Sequence, residues 1–270
     1  MSNKTIIITR PSGQAQQLSE MLQANLRTSG IAKVALPHMI SLPLLTIVPK
    51  SDHALANQIA TSLHTADLAI FVSPNAIECT MRLLEKSWQV LSDKPILIGV
   101  MGGSSLHALK NHGMTMADAP SKIIVPSDTA HWDSEGLWHE LQKLQWNWAD
   151  KKVVIFKGEG GREWLADTLI GAGAQLEAIS VYTRIPLDLE SPIWHDIREI
   201  DYAQSLWLLT SSEAVRHLGQ VKLPIASASA LCSHRNIADA ARQIGFGEVL
   251  TCEAGDDALM RATHTWLLTQ

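Results

Sequence analysis

The chain has 270 residues, with 46 % hydrophobic residues, 18 % charged residues and a formal net charge of −5. That is the composition of a globular protein with room for one large domain or two of about 100 to 150 residues, and it excludes extensive disorder. An acidic balance without any Lys/Arg-rich run excludes a general nucleic-acid binder. The opening MSNKTIIITRPSG offers neither a secretory leader nor a membrane span, so a cytoplasmic protein is expected.

The cysteines, Cys79, Cys232 and Cys252, are odd in number and form no CxxC pattern. They fit small buried residues in a reducing compartment. The histidines form no HExxH or HxxxH pair, and the five-residue spacing of His107 and His112 places them off a common helical face, so no metal site is expected.

In chain order, residues 5–9 (TIIIT) read as a buried strand and Arg10 to Gly13 as the turn after it. Leu18, Met21, Leu22 and Leu26 then give a helix ending near Gly30, before a strand at residues 34–36. Residues 37–49 (PHMISLPLLTIVP) are punctuated by proline and read as a connection between domains. Leu55, Ile59 and Leu63 mark a helix. Residues 68–72 (LAIFV) form a strand that runs into Ser73, an N-cap, and Pro74 at the first helical position. Residues 96–101 form another strand, followed by Gly102, Gly103, Ser104, Ser105 and a helix.

IIVPSD, from Ile123, reads as a strand and the stretch around Leu137, Trp138, Leu141 and Leu144 as a helix, with Ser134 and Glu135 at its start. Asp128, Asp133 and Glu135 favour that helix's positive end, and the tryptophans Trp132, Trp138, Trp146 and Trp148 read as packing residues.

Residues 152–184 make a complete unit. An apolar strand at 153–156 stops at Gly158, Gly160 and Gly161, and a helix opens on Arg162 and Glu163 and uses Trp164, Leu165, Thr168 and Leu169. Gly171 and Gly173 supply its exit, and a second extended run closes on Tyr182 and Arg184. Two further strand-turn-helix patterns follow, one at 206–218 through Thr210, Ser211 and Ser212, the other opening at 225–231 and running through Cys232, Ser233 and His234. The tail reads as a short strand, an acidic turn and a helix, with Asp256 and Asp257 as cap and dipole residues.

The patterns repeat, three in each half, and their order implies an α/β protein in which one domain is inserted into another. Residues 1–37 with 185–270 form the discontinuous domain, 47–177 the inserted one, and 38–46 and 178–184 the connections. α/β folds bind ligands at the carboxyl ends of their strands. No GxxxxGK[ST] occurs, and GEGGRE at 158–163 departs from GxGxxG at its last position, so no nucleotide cofactor is expected. What remains are helix N-termini carrying hydroxyl or glycine residues: Ser12 and Gly13, Ser73 and Asn75, Ser104 and Ser105, Gly160 and Gly161, Ser211 and Ser212, and Ser233. Each is a weak anion site; taken singly a serine there reads first as a helix cap, and it is the recurrence of six that points to a ligand. Arg10, Lys157, Arg162 and Arg184 add charge. Together they suit a ligand with many carboxylates.

The residues also resemble the uroporphyrinogen-III synthase family. FKGEGGREWLADTLIGAGAQLEAISVYTR, at 156–184, is similar to that family's R-G-x-G-G-R-E…Y-x-R signature, and ITRPSGQAQQL, FVSPNA, LLTSSEAV, SHRNIADAARQIGF and DDALM match in order. The resemblance covers nearly the whole chain. It implies two flavodoxin-like domains, the first discontinuous, joined by a two-stranded linker. It implies hydroxymethylbilane as substrate, cyclised with loss of its terminal hydroxyl and inversion of the last pyrrole ring, without cofactor or metal. Tyr182 matches the tyrosine thought to donate a hydrogen bond to the departing hydroxyl. Lys157 and Gly158 stand in the signature, with Lys157 in place of its usual arginine, and Ser104 and Ser105 stand where Gly-x-Thr-Thr is common. A monomer is expected, acting on a small molecule. A non-catalytic two-domain binding protein or sensor for a polycarboxylate is the rival expectation.

Overall fold

The computed structural model describes residues 4–28, 36–84, 95–114 and 122–269. Among these the strands are β1 (Thr5–Ile8), β2 (His38–Ser41), β3 (Leu45–Pro49), β4 (Leu68–Phe71), β5 (Leu97–Val100), β6 (Ile123–Ile124), β7 (Lys152–Gly158), β8 (Gln175–Pro186), β9 (Ser205–Leu209), β10 (Ser229–Cys232) and β11 (Glu248–Thr251). The α-helices are α1 (Ser12–Thr28), α2 (His53–Thr65), α3 (Pro74–Leu83), α4 (Gly103–Asn111), α5 (Ser134–Gln142), α6 (Trp164–Gly171), α7 (Ile193–Arg198), α8 (Ser212–Leu218), α9 (Arg235–Ile244) and α10 (Asp256–Thr269). The chain divides into two compact units, Met1–Thr46 with Ile185–Gln270, and Ile47–Arg184.

The first unit holds a five-stranded sheet in the order β11-β10-β9-β1-β2, every pair of neighbours parallel. Strands buried on both faces must be apolar at consecutive positions, which is why TIII and SLWLL carry no alternation of polar residues. Their side chains still alternate in direction. Ile7, Trp207, Leu209 and Ala230 enter one core cluster, while Ile6, Ile8, Leu206, Leu208 and Leu231 enter another.

The second unit holds a six-stranded sheet in the order β3-β8-β7-β4-β5-β6, parallel from β8 to β6. Ala69, Phe71, Val154 and Phe156 face one side, with the Phe71 and Phe156 rings stacked at 5.0 Å, and Leu68, Ile70, Val153 and Ile155 face the other.

Counted along the chain, the first sheet runs second, first, third, fourth, fifth, the flavodoxin-like order. Counting from β7 and returning through β4, the second sheet repeats that order, with β3 added outside β8. Each sheet therefore reverses its direction of growth once, between β1 and β9 and between β4 and β7. At such a switch point the loops on either side diverge and leave a crevice beyond the carboxyl ends of the strands.

Several elements differ from the expectations. Residues 38–41, expected as connecting chain, form β2, paired with β1 from Thr5↔His38 to Ile8↔Ser41. The prolines at 37 and 43 bracket that strand, so each of its N–H groups is free to pair; Pro49 closes β3 at a sheet edge, where a missing donor is tolerated. The strand expected at 34–36 and the helix end near Gly30 fall wholly or largely outside the described residues. Residues 225–227 are a 3-10 turn, and the strand begins at Ser229. Arg162 and Glu163 precede α6 because Gly160 and Gly161, at φ +67° and +95°, keep the chain in left-handed turn geometry for two residues first. Among the described residues no helix is long and apolar enough to cross a membrane.

Candidate functional site

At the carboxyl end of β4, Ser73 caps α3 by accepting from Ala76 N–H at 3.2 Å, and Pro74 occupies the first helical turn. The same Ser73 Oγ lies 3.2 Å from the Tyr182 hydroxyl. Tyr182 reaches it because the pairing of β7 with β8 is irregular. Lys157 opposes Ser180, and Gly158 then opposes Tyr182, skipping Val181. The bulge lets Val181 and Tyr182 both pack into one cluster, which strict alternation forbids. Tyr182 is 4 % exposed, so its ring is a core residue.

Gly158 is required at that crossing. A β-carbon there would lie 2.6 Å from two atoms of the Tyr182 ring and would overlap the Arg184 guanidinium. Arg184 Nη2 donates to the Glu159 carbonyl oxygen at 2.8 Å, and its guanidinium lies over the Tyr182 ring, 5.7 Å from the centroid.

At the end of the neighbouring β5, Gly102 and Gly103 open α4 beneath the Trp132 indole, which a β-carbon on Gly102 would meet at 2.9 Å. The indole N–H is held by the Pro126 carbonyl at 3.3 Å. Ser104 is exposed, whereas Ser105 is 4 % exposed. Of the two, Ser104 is the one whose hydroxyl is open to a ligand. Asn75, second residue of α3, is half-buried.

In the first unit, Arg10 follows β1, while Thr210, Ser211 and Ser212 follow β9, its neighbour across the switch point. Ser211 caps α8 through Ala214 N–H at 3.3 Å. After β10, Ser233 precedes the cap of α9 rather than forming it; His234 is that cap, accepting from Asn236 N–H at 3.2 Å.

The cations expected to meet carboxylates of a ligand have carboxylate partners of their own. Arg10 Nη1 donates to Asp256 Oδ1 at 2.6 Å, Lys157 pairs with Glu163, and Arg162 pairs with Glu135, Nη1 to Oε2 at 3.0 Å. The Arg162–Glu135 pair is exposed, and pairs of that kind contribute roughly 0 to 1 kcal/mol, so an incoming carboxylate can take over the cation at small cost. Arg10 is more committed, its side chain being 11 % exposed. The sequence pattern does not reveal these partners equally. Glu163 lies near enough to Lys157 in sequence to be considered, but Asp256 is 246 residues from Arg10 and carries no local signal. Trp132, expected only as packing, covers the Gly102–Gly103 turn.

A family profile described as uroporphyrinogen-III synthase HemD matches residues 14–260. The uroporphyrinogen-III synthase of Escherichia coli (strain K12) is 28 % identical over 275 residues, covering 96 % of this chain and 99 % of that protein. The enzyme of the same name from Salmonella typhimurium is also 28 % identical, with the same coverage. Among solved structures, uroporphyrinogen-III synthetase from Helicobacter pylori 26695 aligns with a TM-score of 0.60 at 12 % identity, over 98 % of this chain and 100 % of that one. A mutant uroporphyrinogen III synthase from the extremely thermophilic bacterium Thermus thermophilus aligns with a TM-score of 0.56 at 15 % identity, over 99 % and 100 %.

Proposed function

Because this chain belongs to the uroporphyrinogen-III synthase family, we propose that it cyclises hydroxymethylbilane to uroporphyrinogen III. The terminal hydroxyl leaves as water, the last pyrrole ring is inverted through a spirocyclic intermediate, and the macrocycle closes. The bilane closes unaided to the non-inverted isomer, so the enzyme's task is to hold the chain ends in one geometry. It needs many weak anion contacts and few catalytic groups.

The observation that carries this reading is the Tyr182 hydroxyl, held 3.2 Å from Ser73 Oγ beside the second sheet's switch point. A phenol in that setting is a hydrogen-bond donor to the departing hydroxyl. Ser73 already accepts Ala76 N–H, and its second lone pair can park the phenol's proton until substrate takes its place. For the substrate's acetate and propionate groups we assign Arg10, Thr210, Ser211, Ser212 and Ser233 in the first unit. In the second we assign Ser73, Asn75, Ser104, Ser105, Lys157, Gly158, Gly160, Gly161 and Arg162, with Ser105 the weakest of them because its side chain is buried and its N–H already donates to the Gly102 carbonyl at 3.1 Å.

The test generates hydroxymethylbilane in situ, adds the protein, oxidises the products and separates porphyrin isomers I and III by chromatography. Predominance of isomer III is expected. Isomer I alone, at the spontaneous rate, would sink the proposal and favour a non-catalytic binding protein.

A further inference from the structure

Arg184 stands outside the set just assigned, yet its guanidinium makes two contacts that bear on Tyr182. Nη2 is anchored on the Glu159 carbonyl oxygen at 2.8 Å, and Nη1 lies 3.5 Å from the Tyr182 hydroxyl oxygen. Both acceptors belong to the same short region, since Glu159 N–H donates back to the Tyr182 carbonyl at 2.9 Å. A guanidinium has donors only, so the phenol oxygen accepts from it and the phenol's own proton must point elsewhere. The remaining directions are Ser73 Oγ and a substrate oxygen. The fork is planar and rigid, so fixing one nitrogen on the backbone fixes the other over the ring.

The glycine at 158 fits this arrangement. Tyr182 and Arg184 stand on the same face of β8, two residues apart, and both side chains lie where any residue with a β-carbon at 158 would be. The bulge that sets Gly158 opposite Tyr182 produces this crossing.

We propose that Arg184 is a positioning residue for ring closure: it clamps the Tyr182 ring and aims its hydroxyl proton at the departing group, in space that Gly158 leaves open. This rests on the reading that Tyr182 assists the departure of the terminal hydroxyl. Arg184 is thereby assigned to Tyr182 and not to a carboxylate of the ligand: Nη2 is held by the Glu159 carbonyl and Nη1 faces the Tyr182 hydroxyl.

The experiment measures the rate of isomer III formation for the wild type, Arg184→Met, Arg184→Lys, Tyr182→Phe and the Arg184→Met/Tyr182→Phe double variant, with thermal melts to establish that each is folded. Arg184→Met is expected to lower kcat roughly tenfold with KM within about twofold, the signature of lost orientation and not of lost binding. Arg184→Lys, which reaches one acceptor at a time, should recover part of that loss. In the Tyr182→Phe background Arg184→Met should change kcat by less than about twofold, because two residues acting through one hydroxyl are not additive. If Arg184→Met fails to fold, Arg184→Lys is carried through the same comparison. A rise in KM at unchanged kcat, or an equal loss in both backgrounds, would overturn the proposal, as would a variant that matches the wild type. Formation of isomer I alone by the wild type overturns the functional reading first, and this proposal with it.

Discussion

Arg10 Nη1 and Asp256 Oδ1 lie 2.6 Å apart, tying the end of β1 to the first turn of α10. Asp256 sits where a helix favours an anion, and it holds Arg10, which is proposed above as a substrate contact.

Arg10→Met should therefore have two effects: a stability loss of about 1–3 kcal/mol from the broken charge-assisted bond, and a rise in KM for isomer III formation. Asp256→Asn should share the first effect and not the second. Chemical denaturation and steady-state kinetics on both variants check this; equal KM changes would remove Arg10 from the substrate site.

Tyr182→Phe should slow isomer III formation roughly tenfold to a hundredfold and leave the melting temperature nearly unchanged, since the ring stays packed and one partly buried hydroxyl is lost. Ser73→Ala should show the reverse balance, about 1 kcal/mol of stability lost with the α3 cap and a smaller kinetic effect. If Tyr182→Phe turned over at the wild-type rate, the hydroxyl would have no part in the chemistry.

Two glycines separate packing from helix propensity. Gly158→Ala forces a β-carbon into the Tyr182 ring and Arg184 and should cost about 1–3 kcal/mol, with activity falling alongside. Gly171→Ala, at the end of α6 with no atom within 4 Å, should be neutral or stabilising by roughly 0.4–1 kcal/mol. Urea titrations of both decide it.

Alkaline pH should destabilise the first unit. Burial pushes the Cys232 thiol up from 9.0 to about 12 and Cys252 up to about 11, and burial pushes the Tyr202 hydroxyl up from 10.0 to about 12. Folded protein then keeps protons that the unfolded chain has released, so stability is full below pH 9 and falls as pH rises toward 12, with the Lys4 amine, lowered by burial, working in the opposite sense. Melting temperatures from about pH 7 to about pH 10.5 should decline above roughly pH 9, and more shallowly in Cys232→Ser/Cys252→Ser.

What is legible in the residues is local. Ser73 before Pro74 announces a cap, and Gly160 with Gly161 announces a turn, because each acts on backbone within a few positions. The flavodoxin-like order comes from the family resemblance and agrees with the sheets. The clamp of Arg184 on Tyr182 is not legible, since it depends on a ladder irregularity two strands wide that no period in the sequence encodes. Nor are the carboxylate partners of Arg10 and Arg162, which are brought up by the fold from distant turns. Ser104 and Ser105 look equivalent until the start of α4 turns one outward and the other into the core.

The split first unit has a consequence for the chain as it is made. β1 leaves the ribosome first, yet its neighbour β9 is encoded at residues 205–209, after the whole of Ile47–Arg184 has been synthesised. The inserted unit is unbroken and, among the described residues, has every strand of its own sheet except the start of β3 and the last two residues of β8, so it can fold while the earlier segment waits. Folding order thus inverts synthesis order, and the apolar run TIII spends that interval with one edge unpaired, the period in which a nascent chain of this kind most needs a chaperone.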